Sequence, residues 1–313
     1  MRTVIGIDLG GTNIVSAVVN ERGEVLGKDK RPTLSKLGAE KVMSRIVDSV
    51  HSAGQQSGLT WSSHLAVGIG SPGPLDQKRG VIIYTPNLNW HNVPIVDILQ
   101  KKLHKRVYLE NDANAATLGE SWVGAGMGEN VVFCVTLGTG VGGGLVIDGR
   151  IYHGAEGVSN HLGHVIVDPN GPKSSYGNKG ILEQYASALG IIRLAKQIGL
   201  KPPPGQKATP KTFKEMALDG NPKAIKVFEK AGRMLGIGLT SAIHLLNPSV
   251  IIFSGGVSRA GNTLFKPMYK EINTRCFKTH LKGLKFRMSK LGDDMGAVGA
   301  ARLAWQSLSK STK

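Results

Sequence analysis

The stretch Gly6-Ile-Asp-Leu-Gly-Gly-Thr-Asn13 decides the fold, because its glycine turn joins two apolar runs, Val4 to Ile7 and Ile14 to Val19. Two such runs on either side of a short glycine loop predict a β-hairpin. A third apolar run follows the turn Glu21-Arg22-Gly23 and predicts a third strand. The first 30 residues therefore predict a small sheet whose strands are linked by tight turns.

The same arrangement returns later in the chain. Val131 to Val135 is an apolar run, Thr136-Leu-Gly-Thr-Gly140 is a loop, and Gly142 to Ile147 is a second run. Gly10-Gly11-Thr12 and Gly138-Thr139-Gly140 thus occupy equivalent places in two halves. We interpret the chain as a duplicated unit of strand, glycine loop and strand. Two such units facing each other would form a cleft.

The rest of the chain mixes helical and strand patterns, which predicts an α/β fold with mixed sheets. The predicted elements are a helix over 39–50, strands over 65–69 and 80–84, a helix opened by Pro94, a strand over 107–109 that leads into Asp112 and an alanine-rich helix, helical segments over 181–198 and 224–246, one last strand over 250–253, and a helix from Asp293 or Asp294 to Leu308.

Length and composition exclude several classes of protein. The chain has 313 residues, enough for about two domains, and 41% of them are hydrophobic, which excludes a disordered or fibrous protein. Two cysteines, Cys134 and Cys276, exclude a disulfide framework or a cysteine-rich metal site. Because no apolar run reaches the ~18 residues of a membrane span, we expect a soluble, cytoplasmic protein without a membrane partner.

The net charge of +17 indicates a surface that favours anions. The basic residues are scattered, and aromatic residues make up only 5% of the chain, so stacking on nucleic acid is not expected. Two interpretations remain open, a solvated basic surface and a site for a phosphorylated ligand.

The glycine loops point to phosphate chemistry. A glycine turn between strands exposes backbone N–H groups, and the hydroxyls of Thr12, Thr136 and Thr139 would add further donors. Asp8, at the end of the first strand, is placed to hold Mg²⁺ directly or through water. Gly255-Gly256 follows another apolar strand, at the kind of position where open sheets bind nucleotides. Together these features predict a polyphosphate site.

Phosphoryl transfer also needs a group that accepts the proton of the acceptor hydroxyl. Asp112, where a strand becomes a helix, is the best candidate, and its alternative role is the N-cap of that helix. Several polar side chains in the sequence could bind vicinal hydroxyls, which suggests a sugar as acceptor. These are Asn87, Asn111, Asn160, His161, His164 and Glu183.

These residues resemble the ROK family of bacterial sugar kinases and repressors over nearly the whole chain. The motifs that carry the resemblance are Gly6 to Asn13, Gly70-Ser-Pro-Gly-Pro74, Pro86-Asn-Leu88 with Trp90, Glu110-Asn-Asp-Ala-Asn-Ala-Ala116, Leu137 to Gly144, Leu162-Gly-His164, Gly177-Asn178 with Leu182-Glu183, Gly255-Gly256-Val257 and Leu291-Gly-Asp-Asp294. The resemblance implies a two-domain actin-like ATPase (ribonuclease H-like) fold, with duplicated mixed-sheet cores around a cleft, and a homodimer. We expect a small domain of residues 1–111 plus the C-terminal helix 295–313, and a large domain of residues 112–294.

The resemblance also implies a site. ATP phosphates and Mg²⁺ would bind at Asp8, Gly10, Gly11, Thr12, Asn13, Thr136, Gly138, Thr139 and Gly140, with the nucleoside beside Gly255 and Gly256. The sugar would bind at Gly73, Asn87, Asn111, Asp112, His161, His164 and Glu183. Asp112 would take the proton from the O6 hydroxyl.

Two departures from the family pattern alter these expectations. Where the family has a zinc site of one His and three Cys, this chain reads Ser174-Ser-Tyr176-Gly-Asn-Lys-Gly-Ile-Leu-Glu183, so no zinc is expected. His161 stands where the family usually has a Glu that accepts hydrogen bonds from the sugar. An imidazole accepts one bond and donates one, so the choice of substrate should change.

The first hypothesis for function is an ATP-dependent kinase acting on O6 of glucose or a related hexose or amino sugar. The charge motivates a second, in which inorganic polyphosphate is the donor. A third is a non-catalytic sugar-binding protein. A repressor is not expected, because the catalytic pattern begins near residue three and leaves no room for a helix-turn-helix.

Overall fold

The computed structural model describes residues 1–175 and 177–310, with only the backbone given for Lys310. Tyr176 and residues 311–313, the end of the predicted C-terminal helix, lie outside the described residues. The chain divides into two units. The first contains Met1–Val132, Gly144–Ser159 and Ser289–Lys313, and the second contains Phe133–Gly143 and Asn160–Met288.

The strands are β1 (Thr3–Leu9), β2 (Asn13–Asn20), β3 (Val25–Pro32), β4 (His64–Ser71), β5 (Leu75–Asp76), β6 (Val81–Thr85), β7 (Trp90–Val93), β8 (Arg106–Asn111), β9 (Val131–Leu137), β10 (Val141–Ile147), β11 (Arg150–Ile151), β12 (Val250–Ser254) and β13 (Lys285–Met288). The helices are α1 (Ala39–Gln56), α2 (Ile95–Leu103), α3 (Asp112–Val123), α4 (Glu183–Ala186), α5 (Ala188–Gln197), α6 (Pro210–Leu218), α7 (Pro222–Leu246), α8 (Asn262–Arg275), α9 (Lys278–Leu281) and α10 (Met295–Lys310). None of the described helices is long and apolar enough to span a membrane.

Two five-stranded sheets share one strand order. The first is β3-β2-β1-β4-β8 and the second is β11-β10-β9-β12-β13, so the hairpin strands and the later parallel strands take the same places in both. This confirms the duplicated unit that the two glycine loops predict. The expected α/β fold with mixed sheets is also confirmed.

The register of the first sheet places polar residues along one edge. β1 pairs with β4 in parallel and Asp8 lies opposite Gly70, while β4 pairs with β8 in parallel and Gly70 lies opposite Glu110. The carboxyl ends of parallel strands meet at the same edge, where α/β sheets bind ligands. Asp8 and Glu110 are therefore at the same level of the sheet, with β4 between their strands.

The first sheet is covered on both faces. Along β1, Val4 belongs to a buried cluster with Ala297 and Trp305 of α10, whereas Ile5 belongs to a cluster with α1 and α2 on the other face, as the alternation of side chains in a strand requires. Gly6 makes this packing possible, because a Cβ there would collide with the Ala297 carbonyl oxygen.

The second unit is built around α7. Asn221 caps this helix by accepting hydrogen bonds from the Lys223 and Ala224 N–H groups, and Pro222 occupies its first turn. The helix ends at Asn247, whose left-handed backbone (φ 42°) breaks the repeat. The long apolar period over 224–246 therefore predicted this helix correctly.

Two sequence predictions were wrong in detail, and one strand was missed. The strand over 250–253 is not the last, because β13 pairs with it in parallel and Phe286 stacks on Phe253 at a ring distance of 6.3 Å. The helical segment over 181–198 is two helices, because Ser187 has extended backbone and caps α5. The short strand β7, which begins at the buried Trp90, carried no strand pattern.

The expected boundaries 1–111 and 112–294 stay a prediction. In the structure, the first unit also contains residues 124–132, 144–159 and 289–294 together with α3. This helix packs on α10 within the first unit, and a Cβ at Gly299 would collide with the Ala115 carbonyl oxygen. Because α3 packs so closely on α10, it belongs to the same unit as the first sheet.

Candidate active site

The glycine turn of the first unit is held from behind by Thr33. The Gly10 N–H donates to the Asn13 carbonyl at 2.9 Å, and Thr33 donates to the carbonyls of Gly10 (2.6 Å) and Thr12 (2.8 Å). Because the C=O and N–H of a trans peptide point in opposite directions, the N–H groups of Gly11 and Asn13 point away from Thr33. The loop therefore presents backbone donors on its outer side, as anion binding requires.

Asp8 lies directly before this turn, and other negative charges surround its carboxylate. Burial, and then the charges of Asp112 and Asp293, raise the pKa of Asp8 from 3.8 to about 7. The first turn of α10 packs on the same carboxylate, since a Cβ at Gly296 would lie 2.5 Å from it. Carboxylates from β1, α3 and the segment before α10 thus repel one another within the first unit.

This donor set fits Mg²⁺. Carboxylate oxygens are hard ligands, and a divalent cation would offset the repulsion that raises the pKa of Asp8. Within residues 1–175 and 177–310, no three His, Cys, Asp or Glu side chains are arranged to enclose a metal ion. Mg²⁺ is commonly held by one or two carboxylates together with substrate phosphates. Asp8 is therefore suited to a magnesium ion that arrives with a phosphorylated substrate.

Asn111, and not Asp112, is the N-cap of α3. Asn111 has an extended backbone (φ −66°, ψ 144°), and its side-chain oxygen accepts from the N–H groups of Ala113 at 3.0 Å and Asn114 at 3.2 Å. Asp112 is the first residue of the helix, and its carboxylate accepts from the Ala113 N–H at 2.8 Å. The alternative interpretation of Asp112 as the cap is therefore wrong.

Two further predicted residues, Asn87 and Gly73, belong to the first unit, and Asn87 lies against the glycine turn. A Cβ at Gly11 would come within 2.8 Å of the Cβ of Asn87, so Asn87 touches the glycine turn. Gly73 has a positive φ of 99°, and a Cβ there would collide with the Tyr84 carbonyl oxygen. The first unit thus brings together Asp8, its glycine turn and Asn87.

In the second unit, Glu183 lies against the other glycine loop. The Val141 N–H donates to Glu183 Oε2 at 3.0 Å, and a Cβ at Gly140 would collide with the same carboxylate. Glu183, which the resemblance implies as a sugar ligand, therefore also holds the loop implied to bind phosphate.

This second loop has the same backbone device as the first. The Ala188 N–H donates to the Gly138 carbonyl at 2.9 Å, so the N–H of Thr139 points away from Ala188. The side chain of Thr139 is exposed and that of Thr136 is partly buried. The loop can therefore present a backbone donor and a hydroxyl on its outer side.

His161 and His164 bracket a single 3₁₀ turn. The His164 N–H donates to the His161 carbonyl at 3.0 Å, and the two rings lie 5.9 Å apart at 88°. The Leu182 N–H donates to the Val165 carbonyl at 2.9 Å, so the chain after His164 runs beside the chain before Glu183. His161 is exposed and His164 is partly buried.

The stretch that carries the zinc-site cysteines in the family is a tight turn in this chain. The Ser174 N–H donates to the Asn178 carbonyl at 2.7 Å, and Lys173 and Lys179 form an antiparallel bridge. Tyr176 lies outside the described residues.

The remaining predicted loop follows β12. The chain turns at Gly255 (φ 88°), where a Cβ would collide with the backbone of Leu137, the last residue of β9. The Ser258 hydroxyl donates to the Gly255 carbonyl at 2.7 Å, and the space beside Gly256 is open. Gly255 therefore lies at the end of the strand that leads into the second glycine loop.

Two acidic residues outside the predicted set also belong to this region. Asp293 raises the pKa of Asp8, and the acidic pair before the last helix was its sequence signal. Glu110 is buried, and its partners include Gln77 and His153. Glu110 opens the motif Glu110 to Ala116, but because its partners are distant in sequence, the motif alone could not assign it a role.

Two sheets of one strand order, each with a hairpin closed by a glycine loop, define the class of actin-like ATPase folds. Residues 4–307 match the sequence profile of the ROK family, and the chain belongs to that family.

Three relatives illustrate the similarity. A glucokinase of Thermotoga maritima is 37% identical over 311 residues, which cover 96% of each chain. The crystal structure of a ROK hexokinase from Thermus thermophilus has a TM-score of 0.86 and 33% identity, with 99% of this chain and 100% of that chain covered. A ROK family glucokinase from Streptomyces griseus, solved in complex with glucose and AMPPNP, has a TM-score of 0.80 and 35% identity, with 97% and 99% covered.

Proposed function

We propose that this protein is an ATP-dependent sugar kinase that transfers the γ-phosphoryl group to the O6 hydroxyl of a hexose, glucose or a close relative of it. The observation that carries the proposal is the position of Asp112, at the start of α3, beside Asp8. Asp8 pairs with Gly70 in the sheet, a Cβ at Gly70 would lie 3.6 Å from the Cα of Asp112, and the charge of Asp112 raises the pKa of Asp8. A phosphate-side carboxylate and a candidate general base are thus neighbours in one unit. The names of the relatives support the same activity.

In the proposed mechanism, the outward N–H groups of Gly11 and Asn13 donate to phosphate oxygens. Mg²⁺, when bound, would neutralise phosphate charge beside Asp8. Asp112 accepts the proton of the sugar hydroxyl as the hydroxyl oxygen attacks the γ-phosphorus, and the bond from this phosphorus to the bridging oxygen breaks, so that ADP leaves. The side-chain oxygen of Asn111 accepts the hydrogen bonds of the helix cap. Its NH₂ group is therefore the group that donates to a sugar hydroxyl in this mechanism.

The imidazole of His161 is the proposed determinant of sugar choice. It is exposed and stands in a 3₁₀ turn whose other end is His164. An imidazole offers one donor and one acceptor, whereas a carboxylate only accepts. A sugar that carries a hydrogen-bond acceptor, such as an acetamido carbonyl, is then better tolerated on this side than in an enzyme with Glu.

A second candidate donor is inorganic polyphosphate, which the net charge of +17 favours. A polyanionic donor would make the activity strongly dependent on salt, because exposed charges are screened.

The test is a coupled ADP-release assay with Mg²⁺-ATP against glucose, mannose, fructose, N-acetylglucosamine, N-acetylmannosamine and glucosamine. The panel is repeated with polyphosphate by direct detection of the sugar phosphate. Turnover of one hexose with ATP is the expected result. Folded protein that binds ATP and turns over no sugar with either donor would instead favour a sugar-binding protein without catalysis.

A further inference from the structure

Glu110 is a charged side chain buried beside the proposed general base. Its side chain is 1% exposed, and it stands two positions before Asp112 at the end of β8. A buried carboxylate is tolerated only when hydrogen bonds compensate the loss of water. The hydrogen-bond partners of Glu110 therefore show which segments of the chain this residue holds in place.

One oxygen of Glu110 binds the junction between β8 and α3. Oε1 accepts from the Asn111 N–H at 2.8 Å, from Asn114 Nδ2 at 3.0 Å and from Gln77 Nε2 at 2.7 Å. Asn111 is the cap of α3 and Asn114 lies in its first turn. The carboxylate thus fixes the backbone on both sides of Asp112.

The other oxygen binds His153, in the segment that follows β11. Glu110 Oε2 lies 2.7 Å from His153 Nε2. Because an ionised carboxylate can only accept, Nε2 carries the hydrogen of this bond. The His153 side chain is 38% exposed, so it covers Glu110 from the solvent side.

The loop that carries His153 is itself tied to the same network. The Ser159 N–H donates to the His153 carbonyl at 3.3 Å and its hydroxyl to the Tyr152 carbonyl at 2.7 Å, which closes the loop. A Cβ at Gly157 would lie 3.6 Å from Gln77 Oε1. His153 is thus held in a defined place and is not a freely rotating surface side chain.

We propose that Glu110 and His153 are positioning residues for phosphoryl transfer. His153 fixes the Glu110 carboxylate, and Glu110 fixes the start of α3 and with it the direction of the Asp112 side chain. This inference rests on the proposed role of Asp112 as general base. A displacement of about 1 Å at a reacting group can cost about 100-fold in rate, so the network acts mainly on kcat.

The decisive experiment compares His153→Gln with His153→Asn. The amide nitrogen of Gln reaches about as far as Nε2, whereas that of Asn reaches only as far as Nδ1. A cavity of about 350 Å³ borders Gln77, Glu110 and His153 and leaves room for a flexible side chain. We expect H153Q to keep kcat within about threefold of wild type, and H153N to lower kcat about tenfold or more, with the sugar KM changed less.

A purely structural role would give a different result. H153N would then lower the melting temperature and leave kcat unchanged at an assay temperature well below melting. His51→Gln and His51→Asn, on the exposed side of α1, are the matched controls and should leave kcat unchanged. Equal kcat in H153Q and H153N overturns the proposal.

The coupling between the two residues gives a second test. Glu110→Gln should lower kcat at least as far as H153N, and the double variant should lose no more than E110Q alone, because both changes break one bond. Additive losses overturn the proposal. If E110Q does not fold, the His153 pair decides alone.

Asp112→Asn separates the two levels of the argument. If D112N keeps the kcat of the wild type, Asp112 is not the general base, and the proposed function is rejected as well. If kcat falls strongly in D112N but H153N keeps the kcat of the wild type, only the positioning role of Glu110 and His153 is rejected.

Discussion

The carboxylate of Asp112 lies close enough to that of Asp8 for its negative charge to raise the pKa of Asp8. Burial is the larger cause, Asp293 adds a third charge, and the pKa reaches about 7. A group that must be deprotonated to hold Mg²⁺ is thus kept in a place that disfavours its charge. The repulsion among these carboxylates lowers the stability of the ligand-free protein, and the Mg²⁺ of the proposed function would offset it.

The substitution Asp8→Asn should stabilise the ligand-free protein above pH 7 and abolish kinase activity. Since the pKa of Asp8 is higher in the folded state than its ordinary 3.8, the folded state binds the proton more tightly. Its contribution to the free energy of unfolding then falls as pH rises from about 4 to about 7. The free energy of unfolding of D8N should equal that of the wild type at about pH 4 and exceed it by an amount on the order of a few kcal/mol at pH 8. Denaturant unfolding at each pH measures it.

Asp29→Asn is the matched control, because its pH dependence has the opposite sign. Arg31 donates to both oxygens of Asp29 at 2.6 and 2.8 Å and holds the pKa of that carboxyl below its usual value. D29N should therefore destabilise the protein above pH 4 and lose its effect as pH falls. A D8N difference that stays flat between pH 4 and pH 8 would contradict the assignment for Asp8.

Mg²⁺ should stabilise the wild-type protein more at pH 8 than at pH 5. A proton and the cation compete for the Asp8 carboxylate, and the pKa of about 7 lies between these two values. Thermal melting with ATP in MgCl₂, compared with ATP in NaCl of equal ionic strength and without sugar, measures the effect. D8N should lack the difference between the two pH values, and an equal magnesium effect in D8N would show that the cation binds elsewhere.

Asp112→Asn should leave sugar binding largely intact while kcat falls by about two orders of magnitude or more. Asn keeps the size of the side chain but cannot accept the hydroxyl proton. Calorimetric titration with the preferred sugar and steady-state kinetics separate the two effects. Asp48→Asn, on the exposed face of α1, is the control. Retained turnover in D112N would assign Asp112 a structural role at the start of α3.

Local patterns in the sequence predicted the hairpins and their glycine loops, because a hairpin depends on neighbouring residues. Local patterns could not predict which distant segments pair with each other. The charged strand β13 gains its place from Phe286 packing on Phe253 and Tyr269, which no local pattern contains. Tertiary packing overrides weak strand propensity in such cases.

The candidate site divides in the same way. Motif positions such as Asp8 and Asp112 could be named from the sequence, but the charge coupling of Asp8 to Asp293 depends on where α10 packs. The choice between Asn111 and Asp112 as helix cap was also undetermined, since both residue types are favoured caps. Only the extended backbone of Asn111 decides it.

Glu120→Gln should destabilise the protein by about 1–3 kcal/mol. The buried Glu120 carboxylate accepts from the Ala125 N–H (2.7 Å), the Ser289 hydroxyl (2.6 Å) and the Leu291 N–H (2.9 Å). The NH₂ group of Gln would face donors and leave at least one buried group without an acceptor. Ser289→Ala removes one of these bonds and should cost about 1 kcal/mol. Equal stability of E120Q and wild type in urea would contradict this account.

His161→Glu should raise kcat/KM for glucose by roughly tenfold or more, because a carboxylate accepts charge-assisted hydrogen bonds from sugar hydroxyls that an imidazole cannot match. The same change should lower kcat/KM for a sugar whose substituent offers only an acceptor on this side, since two acceptors repel. The ratio of kcat/KM for glucose and N-acetylglucosamine measures the effect. His51→Glu, which adds the same charge on the exposed face of α1, controls for the change in net charge. If the ratio moves equally in both variants, the charge of the whole protein and not the position of residue 161 decides the preference, and sugar choice must be sought elsewhere in the site.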